Sequence, residues 1–255
     1  MLTREITLYC RHGLSISQAR QLSRMAGLFK SHIRLSNLSR RQTAEASSLL
    51  ALLTLATQPG DLCQLLIEGL DAELAHMAFN CWCVELGKPL GRSTTAYLAE
   101  QRLATRQPDY HFALPQVASL SAPLTKPQVL AQLTGLLPGE LVTDSPSLHS
   151  ELMARERVSA TIIQAGIAMP HVLSAAIRQP ALAMIYSPDP VDWGSSLGAV
   201  HHIILLCAPR QLPPAQLRPL TRLARAMMDE TLTQALRHAS NHQSRHAIVI
   251  EGLLS

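Results

Sequence analysis

The sequence has no long apolar run, and this absence argues against two classes of protein. No segment approaches the ~18 consecutive apolar residues that a membrane-spanning helix requires. The N-terminal stretch from Met1 to Cys10 alternates polar and apolar residues and contains Arg4 and Glu5. It therefore lacks the uninterrupted apolar core of a signal peptide. The sequence favours neither a membrane-spanning protein nor one with a secretory leader.

Cysteine is scarce, and its distribution does not form a disulfide framework. The five cysteines are odd in number, and four of them lie in or beside apolar patterns: Cys10, Cys63, Cys81 and Cys83, with Cys207 the fifth. We predict reduced thiols and a cytoplasmic protein. We expect no metal and no cofactor.

The charge pattern gives little support for a nucleic-acid partner. The chain of 255 residues is 16% charged and 47% hydrophobic, an ordinary globular composition with room for one or two domains. The net charge is +4, and the arginines are spread along the chain. They cluster only at Arg40 and Arg41 and at Arg218, Arg222 and Arg225. We interpret these clusters as solvated helix faces and predict no nucleic-acid partner. We find no internal repeat and no low-complexity segment.

Residues 1–85 show the periodicity of one small α/β unit. Strand alternation at residues 5–10 is followed by helical spacing from Ile16 to Ala26, for which Ser15 or Ser17 is the predicted cap. Further strands are predicted at 32–36, 41–44 and 62–68, and further helices from Ser48 and over 71–82. The predicted order is β-α-β-β-α-β-α.

This order, with Gly13-Leu14 opening the first helix and residues 48–55 the second, resembles the phosphocarrier protein HPr, an open-faced sandwich. This sequence departs from the family's G-L-H-A-R-P motif. Ser15 replaces the phosphorylated histidine, and Ser17 replaces the supporting arginine. A hydroxyl is scarcely nucleophilic without a neighbouring base, so we predict a catalytically silent domain. Two alternatives stay open: His12 as a phosphate acceptor or a solvated turn residue, and Ser48 as a regulatory phosphorylation site or a helix cap.

Leu49, Leu50 and Leu53 of this unit are the apolar candidates for docking to a partner. The same leucines are candidates for buried core, and we expect at least two of the three to be core.

Residues 86–122 show no sustained period and are punctuated by Gly87, Pro89, Gly91, Pro108 and Pro115. We interpret them as a linker with little structure of its own, longer than is typical of a loop within one domain. Residues 87–98 resemble the start of enzyme I of the bacterial sugar phosphotransferase system, so the chain is similar to a multiphosphoryl transfer protein that has lost this enzyme.

The mixture of helical and strand patterns in residues 123–255 predicts a second unit, an α/β sandwich with a mixed sheet. A helix begins after the cap Thr125, and a second one covers 147–156. Strands are predicted at 160–164, 167–169, 181–186 and 202–207, and helices at 216–228 and 231–238.

The run G-I-A-M-P-H, from Gly166 to His171, places a histidine after a proline that fixes its own φ and holds Met169 extended. It resembles the phosphorylation motif of fructose/mannitol-type enzyme IIA domains. Arg155 and Glu156 match the family's R-E pair, and Pro190 to Trp193 with Gly198 to Val200 match its P-V-D-W and G-x-V stretches. The resemblance implies that His171 carries a phosphoryl group and that Arg155 neutralises its charge.

The family's second histidine, at the start of the helix after the core strand, corresponds to Gln216. An amide donates hydrogen bonds but carries no charge, so phosphorylation of His171 is expected to be slower or its product less stable. Whether Gln216 lies beside the phosphoryl group or points into solvent stays open.

The other histidines have structural interpretations. His201 and His202 are neighbours on a strand and point to opposite faces. His238, His242 and His246 have the spacing of metal ligands, but the polar residues between them indicate a helix break and no carboxylate joins them.

The resemblance implies a phosphoryl carrier that accepts phosphate from phospho-HPr or an HPr-like donor and passes it to a IIB component of a fructose-type permease. Membrane contact would come only through that permease, and enzyme I is a further candidate partner. The alternative is a regulatory binding protein whose HPr-like domain docks without turnover. His171 as a turn histidine without chemistry also stays open.

Overall fold

The computed structural model describes residues 2–89, 95–239 and 241–254, which form two compact units. Unit 1 comprises residues 1–95 and 231–244, and unit 2 comprises residues 96–230 and 245–255. Within the described residues, no helix has the length and apolarity needed to cross a bilayer.

The N-terminal segment of unit 1, residues 2–89, has the predicted order β-α-β-β-α-β-α followed by one more strand. Its elements are β1 (Leu2–Cys10), α1 (Ile16–Ala26), β2 (His32–Asn37), β3 (Gln42–Glu45), α2 (Leu49–Thr54), β4 (Leu62–Gly69), α3 (Ala72–Leu86) and β5 (Gly87–Pro89). The strands form one sheet in the order β3-β2-β4-β1-β5, and every neighbouring pair is antiparallel. Alternate residues of β1 and β4 are buried, which is the pattern of a sheet covered on one face.

Ser15 and Ser48 are helix caps in this unit. The Ser15 hydroxyl accepts from the backbone N–H of Gln18 at 3.2 Å, and the Ser15 N–H donates to Gln18 Oε1 at 2.9 Å, which completes a capping box. Ser48 accepts from the Ala51 N–H at 3.3 Å. The predicted cap at Ser15 is confirmed, and Ser48 has the structural role that was one of its two alternatives.

The expectation that at least two of Leu49, Leu50 and Leu53 belong to the core is wrong. Leu50 is 75% exposed and Leu53 37% exposed, whereas Leu49 is half-buried. The helix α2 has only six residues, and at 3.6 residues per turn it turns Leu52 inward and leaves its neighbours outward.

Unit 2 is built on a six-stranded mixed sheet, as predicted. Its strands are β6 (Val117–Ser119), β7 (Ile162–Gln164), β8 (Gly166–Ala168), β9 (His171–Ser174), β10 (Ala181–Val191) and β11 (Val200–Pro209). The order is β6-β10-β11-β8-β7, and β9 also pairs with β11. The central strands β10 and β11 are antiparallel, and their longest buried runs, 181–185 and 202–208, lie inside the core.

The helices after residue 90 are α4 (Thr95–Arg106), α5 (Lys126–Gly135), α6 (Ser145–Val158), α7 (Pro214–Ala226), α8 (Glu230–His238) and α9 (His242–Leu254). In unit 2, α5 packs against α6 and β10, and α6 also contacts β9. Their buried side chains join the sheet in one apolar cluster that includes Leu130, Leu152, Trp193 and Leu205. The contact of α6 with β9 brings one helix against the strand that begins at His171.

The segment 86–122 is not the unstructured linker that the sequence predicted. It contains β5, α4, a 3₁₀ turn at Leu114–Gln116 and β6. β5 pairs with β1 of unit 1 and β6 pairs with β10 of unit 2, so each end belongs to a sheet. Gly91, one of the residues that suggested a linker, lies outside the described residues.

The helix α9 was not predicted, and it buries a histidine. His246 is fully buried, its Nε2 lies 3.0 Å from the Phe112 carbonyl oxygen, and the two rings are 4.7 Å apart. Burial lowers the pKa of His246 below its ordinary value, and the Phe112 hydrogen bond offsets only part of this effect. Because the carbonyl can only accept, Nε2 carries the proton of the neutral ring.

The buried His246 predicts that unit 2 loses stability in mild acid. A histidine whose pKa is lowered by folding binds more protons when unfolded, so stability falls as the pH drops through the unfolded pKa of about 6.5. The urea midpoint, followed by Trp193 fluorescence in a Trp82→Phe background, should fall between about pH 7.5 and 5.5. His246→Asn should flatten that slope. An unchanged slope in the variant would contradict this role of His246.

Candidate functional site

Backbone hydrogen bonds fix the chain on both sides of His171. The Met169 N–H donates to the Thr161 carbonyl at 2.9 Å, and the Pro170 carbonyl accepts from the Leu206 N–H at 2.9 Å. Pro170 separates β8 from β9, both of which run parallel to β11. Met169 and Val172 are buried, whereas His171 between them is exposed. The motif therefore presents one imidazole on a rigid strand start.

The imidazole of His171 is held through Nδ1, which leaves Nε2 as the available nitrogen. Nδ1 lies 3.0 Å from the Met169 carbonyl oxygen. That oxygen can only accept, so in the neutral ring Nδ1 carries the proton and Nε2 carries the lone pair. The ring is fixed in one tautomer, with its basic nitrogen directed away from the anchoring carbonyl.

Arg155, in the last turn of α6, reaches the same nitrogen. Its Nη2 lies 3.1 Å from His171 Nε2, and its Nη1 lies 3.3 Å from both the carbonyl oxygen and the hydroxyl of Ser159. Arg155 forms no ion pair with a carboxylate in the described part of the chain. The guanidinium is therefore free to neutralise an anion that approaches Nε2.

Glu156, next to Arg155 in sequence, faces the interior instead of the site. It is buried and accepts from the Thr161 N–H at 3.0 Å and from the Thr161 hydroxyl at 2.7 Å. The Lys126 ammonium lies 3.0 Å from its carboxylate and also donates to the Trp193 carbonyl at 3.0 Å. Glu156 thus ties the end of α6 to Thr161, whose carbonyl holds Met169. The R-E pair combines a site cation with a structural anchor.

An open pocket of about 450 Å³ surrounds the imidazole. It is lined by Glu151, Ala154, Arg155, His171, Val172, Leu173 and Arg210. Arg210 Nη2 lies 3.0 Å from Glu151 Oε1. The pocket contains two guanidinium groups and one carboxylate, so cations predominate around the exposed Nε2.

Gln216, the third residue predicted for the site, does not line this pocket. It lies in the first turn of α7, where its side-chain amide approaches Asp109 Oδ2 at 3.4 Å and its carbonyl accepts from the Tyr110 hydroxyl. Burial raises the pKa of Tyr110 to about 12, so this hydroxyl keeps its proton. A role for Gln216 in phosphoryl transfer stays a prediction.

Among the described residues, no other histidine lines the pocket of His171. His201 Nδ1 lies 2.9 Å from the Ser187 carbonyl oxygen, and His202 on the opposite face of β11 is buried. His12 is exposed before α1. His242 begins α9, and the side chain of His238 lies outside the described residues. Among the described residues, no three His, Cys, Asp or Glu side chains are placed to bind a metal.

The comparison with protein families agrees with this geometry. Residues 116–251 match the model described as phosphoenolpyruvate-dependent sugar phosphotransferase system, EIIA 2. The chain belongs to this family. A second model, PTS HPr component phosphorylation site, matches residues 2–80. The two matches account for the two resemblances found in the sequence, including the HPr-like part whose histidine position holds Ser15.

Several relatives resemble part of the chain. A nitrogen regulatory protein of Pseudomonas aeruginosa is 30% identical over 130 residues, which are 50% of this chain and 84% of that protein. A multiphosphoryl transfer protein of Shigella flexneri is 29% identical over 120 residues, which are 47% of this chain but only 14% of that protein. The crystal structure of nitrogen regulatory protein IIA-Ntr from Neisseria meningitidis has a TM-score of 0.50 at 22% identity, covering 56% of this chain and 97% of that one. This structural likeness concerns the fold.

Sequence reasoning missed the partners that surround the predicted pair. Nothing in the pattern of residues 151–155 distinguished Glu151 from a solvated helix residue, and Arg210 follows the core strand without a recognisable motif. The spacing of four residues between Glu151 and Arg155 was the available signal, because residues at this spacing share one face of a helix.

The anchoring role of Glu156 generates a stability prediction. Glu156→Gln removes the charge that pairs with Lys126 and weakens the acceptor for both Thr161 donors, so it should reduce the free energy of unfolding by about 1–3 kcal/mol. Glu140→Gln, at an exposed position, is the control and should stay within about 0.5 kcal/mol. Urea unfolding followed at Trp193 in the Trp82→Phe background measures both. Equal stabilities of the two variants would refute the anchor.

Proposed function

We propose that this protein carries a phosphoryl group on His171 Nε2, taken from phospho-HPr or an HPr-like donor and passed to a cysteine of a IIB component of a fructose-type permease. The observation that carries the proposal is the pair of contacts at the ring: Nδ1 to the Met169 carbonyl at 3.0 Å and Nε2 to Arg155 at 3.1 Å. One contact fixes the tautomer, and the other places a cation at the reacting nitrogen.

The chemistry requires only transfer between nucleophiles. The Nε2 lone pair forms a new N–P bond while the N–P bond to the donor's imidazole breaks, and the donor nitrogen leaves with that electron pair. In the second step, the thiolate of the acceptor forms an S–P bond as the bond from phosphorus to Nε2 breaks. The proton on Nδ1 stays on its nitrogen throughout, because Met169 holds it.

Arg155 supports both steps through its charge. In the unphosphorylated protein its Nη2 faces the lone pair of Nε2, so it must shift to the phosphoryl oxygens when phosphorus takes that place. The protein mainly positions groups and neutralises charge in such in-line transfers. The bonds of Nη1 to Ser159 hold the guanidinium near the oxygens during this shift.

The second candidate function is a regulatory binding protein, and unit 1 provides the observation that favours it. Ile16 and Leu50 are 61% and 75% exposed, and Leu53 is 37% exposed. The residue at the family's histidine position, Ser15, is occupied as a helix cap. These features support docking without phosphoryl transfer by unit 1. The P. aeruginosa relative, which is described as a nitrogen regulatory protein, is compatible with such a role.

His171→Ala should abolish phosphorylation of the full chain. The chain is incubated with phosphoenolpyruvate, enzyme I and HPr, and an acid-labile mass gain of one phosphate is measured. Ser15→Ala and His12→Ala are the matched controls and should retain the label, because neither residue combines a fixed imidazole with a neighbouring arginine. Label that persists in the His171 variant would disprove the assignment, and an unlabelled wild type would favour the binding function.

Leu50→Gln with Leu53→Gln should weaken docking by unit 1 without unfolding it. Leu50 is largely solvated and Leu53 partly so, and their replacement therefore removes an apolar contact surface at a smaller cost in stability than replacement of a buried leucine. Pull-down of enzyme I and IIA domains with the full chain measures binding, with Leu52→Gln as the core control expected to unfold the unit. Binding that is equal in wild type and double variant would exclude this surface.

A further inference from the structure

The pocket around His171 contains a second guanidinium whose backbone is fixed relative to the imidazole. Arg210 is the residue after β11, and its N–H donates to the Ser174 carbonyl at 3.2 Å. In the parallel pairing of β9 with β11, His171 is opposite Leu206 and Ser174 is opposite Pro209. Arg210 and His171 therefore sit at opposite ends of the same short strand pairing.

The contact that holds Arg210 in the unphosphorylated protein is a weak one. A single distance of 3.0 Å joins its Nη2 to Glu151 Oε1, and the Arg210 side chain is 62% exposed. The second carboxylate oxygen, Glu151 Oε2, is buried and has no hydrogen-bond partner among the residues that the structure describes. A half-exposed, one-point ion pair contributes little net free energy. The guanidinium can therefore exchange this carboxylate for another anion.

The balance of charges in the pocket favours that exchange when His171 carries a phosphoryl group. A phosphoryl group on histidine brings up to two negative charges, and Arg155 supplies one positive charge at Nε2. Gln216 supplies none, and its amide is directed to Asp109. Glu151 lies one helical turn before Arg155 on the same face of α6, so its negative charge adds to that of a phosphoryl group and the single positive charge of Arg155 does not balance the two.

We propose that Arg210 is the second phosphoryl-binding cation of this site and that its ion pair with Glu151 holds it beside the pocket while His171 is unphosphorylated. When His171 carries the phosphoryl group, Arg210 moves from Glu151 to the phosphoryl oxygens and supplies the charge that Gln216 lacks. The proposal rests on the proposed function, since it concerns the same nitrogen. It assigns Arg210 a direct contact with the transferred group, which is more than neutralisation of Glu151.

A double-mutant cycle separates these two roles. The full chain and the variants Arg210→Gln, Glu151→Gln and the double variant are phosphorylated with the small-molecule donor phosphoramidate, and the labelling rate is measured. A direct contact predicts that Arg210→Gln slows labelling roughly tenfold, and by a similar factor when Glu151 is already Gln. If Arg210 only neutralises Glu151, its replacement has no effect in the Glu151→Gln background, and the proposal is overturned.

A spectroscopic measurement adds a readout that does not depend on rate. The ³¹P resonance of phospho-His171 is followed against pH, because a guanidinium at the phosphoryl oxygens favours the dianion. Arg210→Gln should raise the titration midpoint by roughly 1 unit, and Arg210→Lys should restore part of the difference. An unchanged midpoint would count against the contact.

A comparison of two phosphoryl donors distinguishes failure of the carrier function from failure of the Arg210 contact. Labelling by phosphoramidate but not by phospho-HPr would reject the proposed donor while the cycle still tests Arg210. Absence of labelling at His171 by either donor would reject both proposals.

Discussion

The hydrogen bond between His171 Nδ1 and the Met169 carbonyl is the contact on which the site depends. The bond joins residues only two positions apart, yet Met169 is itself buried and held by the Thr161 carbonyl. Because the carbonyl cannot donate, the bond selects the tautomer with a free Nε2. Loss of this bond would leave the imidazole free to rotate, and the contact with Arg155 would then have no fixed partner.

The end of α6 connects this bond to the interior of unit 2. Arg155 and Glu156 are neighbours, and the helix turns one side chain to the pocket and the other to the core. Glu156 binds Thr161 and Lys126, and Thr161 binds Met169. The last turn of α6 therefore fixes both the Arg155 guanidinium and the start of the strand that carries His171. A small movement of α6 would disturb the guanidinium and the imidazole together.

The sequence predicted the elements and residues whose identity is local. The motif ending at His171 and the match at Arg155 identified a pair that the structure places 3.1 Å apart, and long periodic segments such as α1 and β4 appeared as expected. The short strands β5 and β6 have three residues each and exist through pairing with β1 and β10 far away in sequence. Such pairing leaves no period in the segment itself, so residues 86–122 were misinterpreted as a linker.

The two units hold Ser15 and His171 differently, and hydrogen bonding explains the difference. Ser15 engages both its hydroxyl and its N–H with Gln18, so the residue at the HPr histidine position stabilises the start of α1. His171 lies at a strand start, where its backbone is held by neighbours and its Nε2 is not required for any element of the fold. In unit 1 the position has become part of the folding of a helix. In unit 2 the fold holds the ring while it leaves the reactive nitrogen available, which is the arrangement that reversible phosphoryl transfer requires.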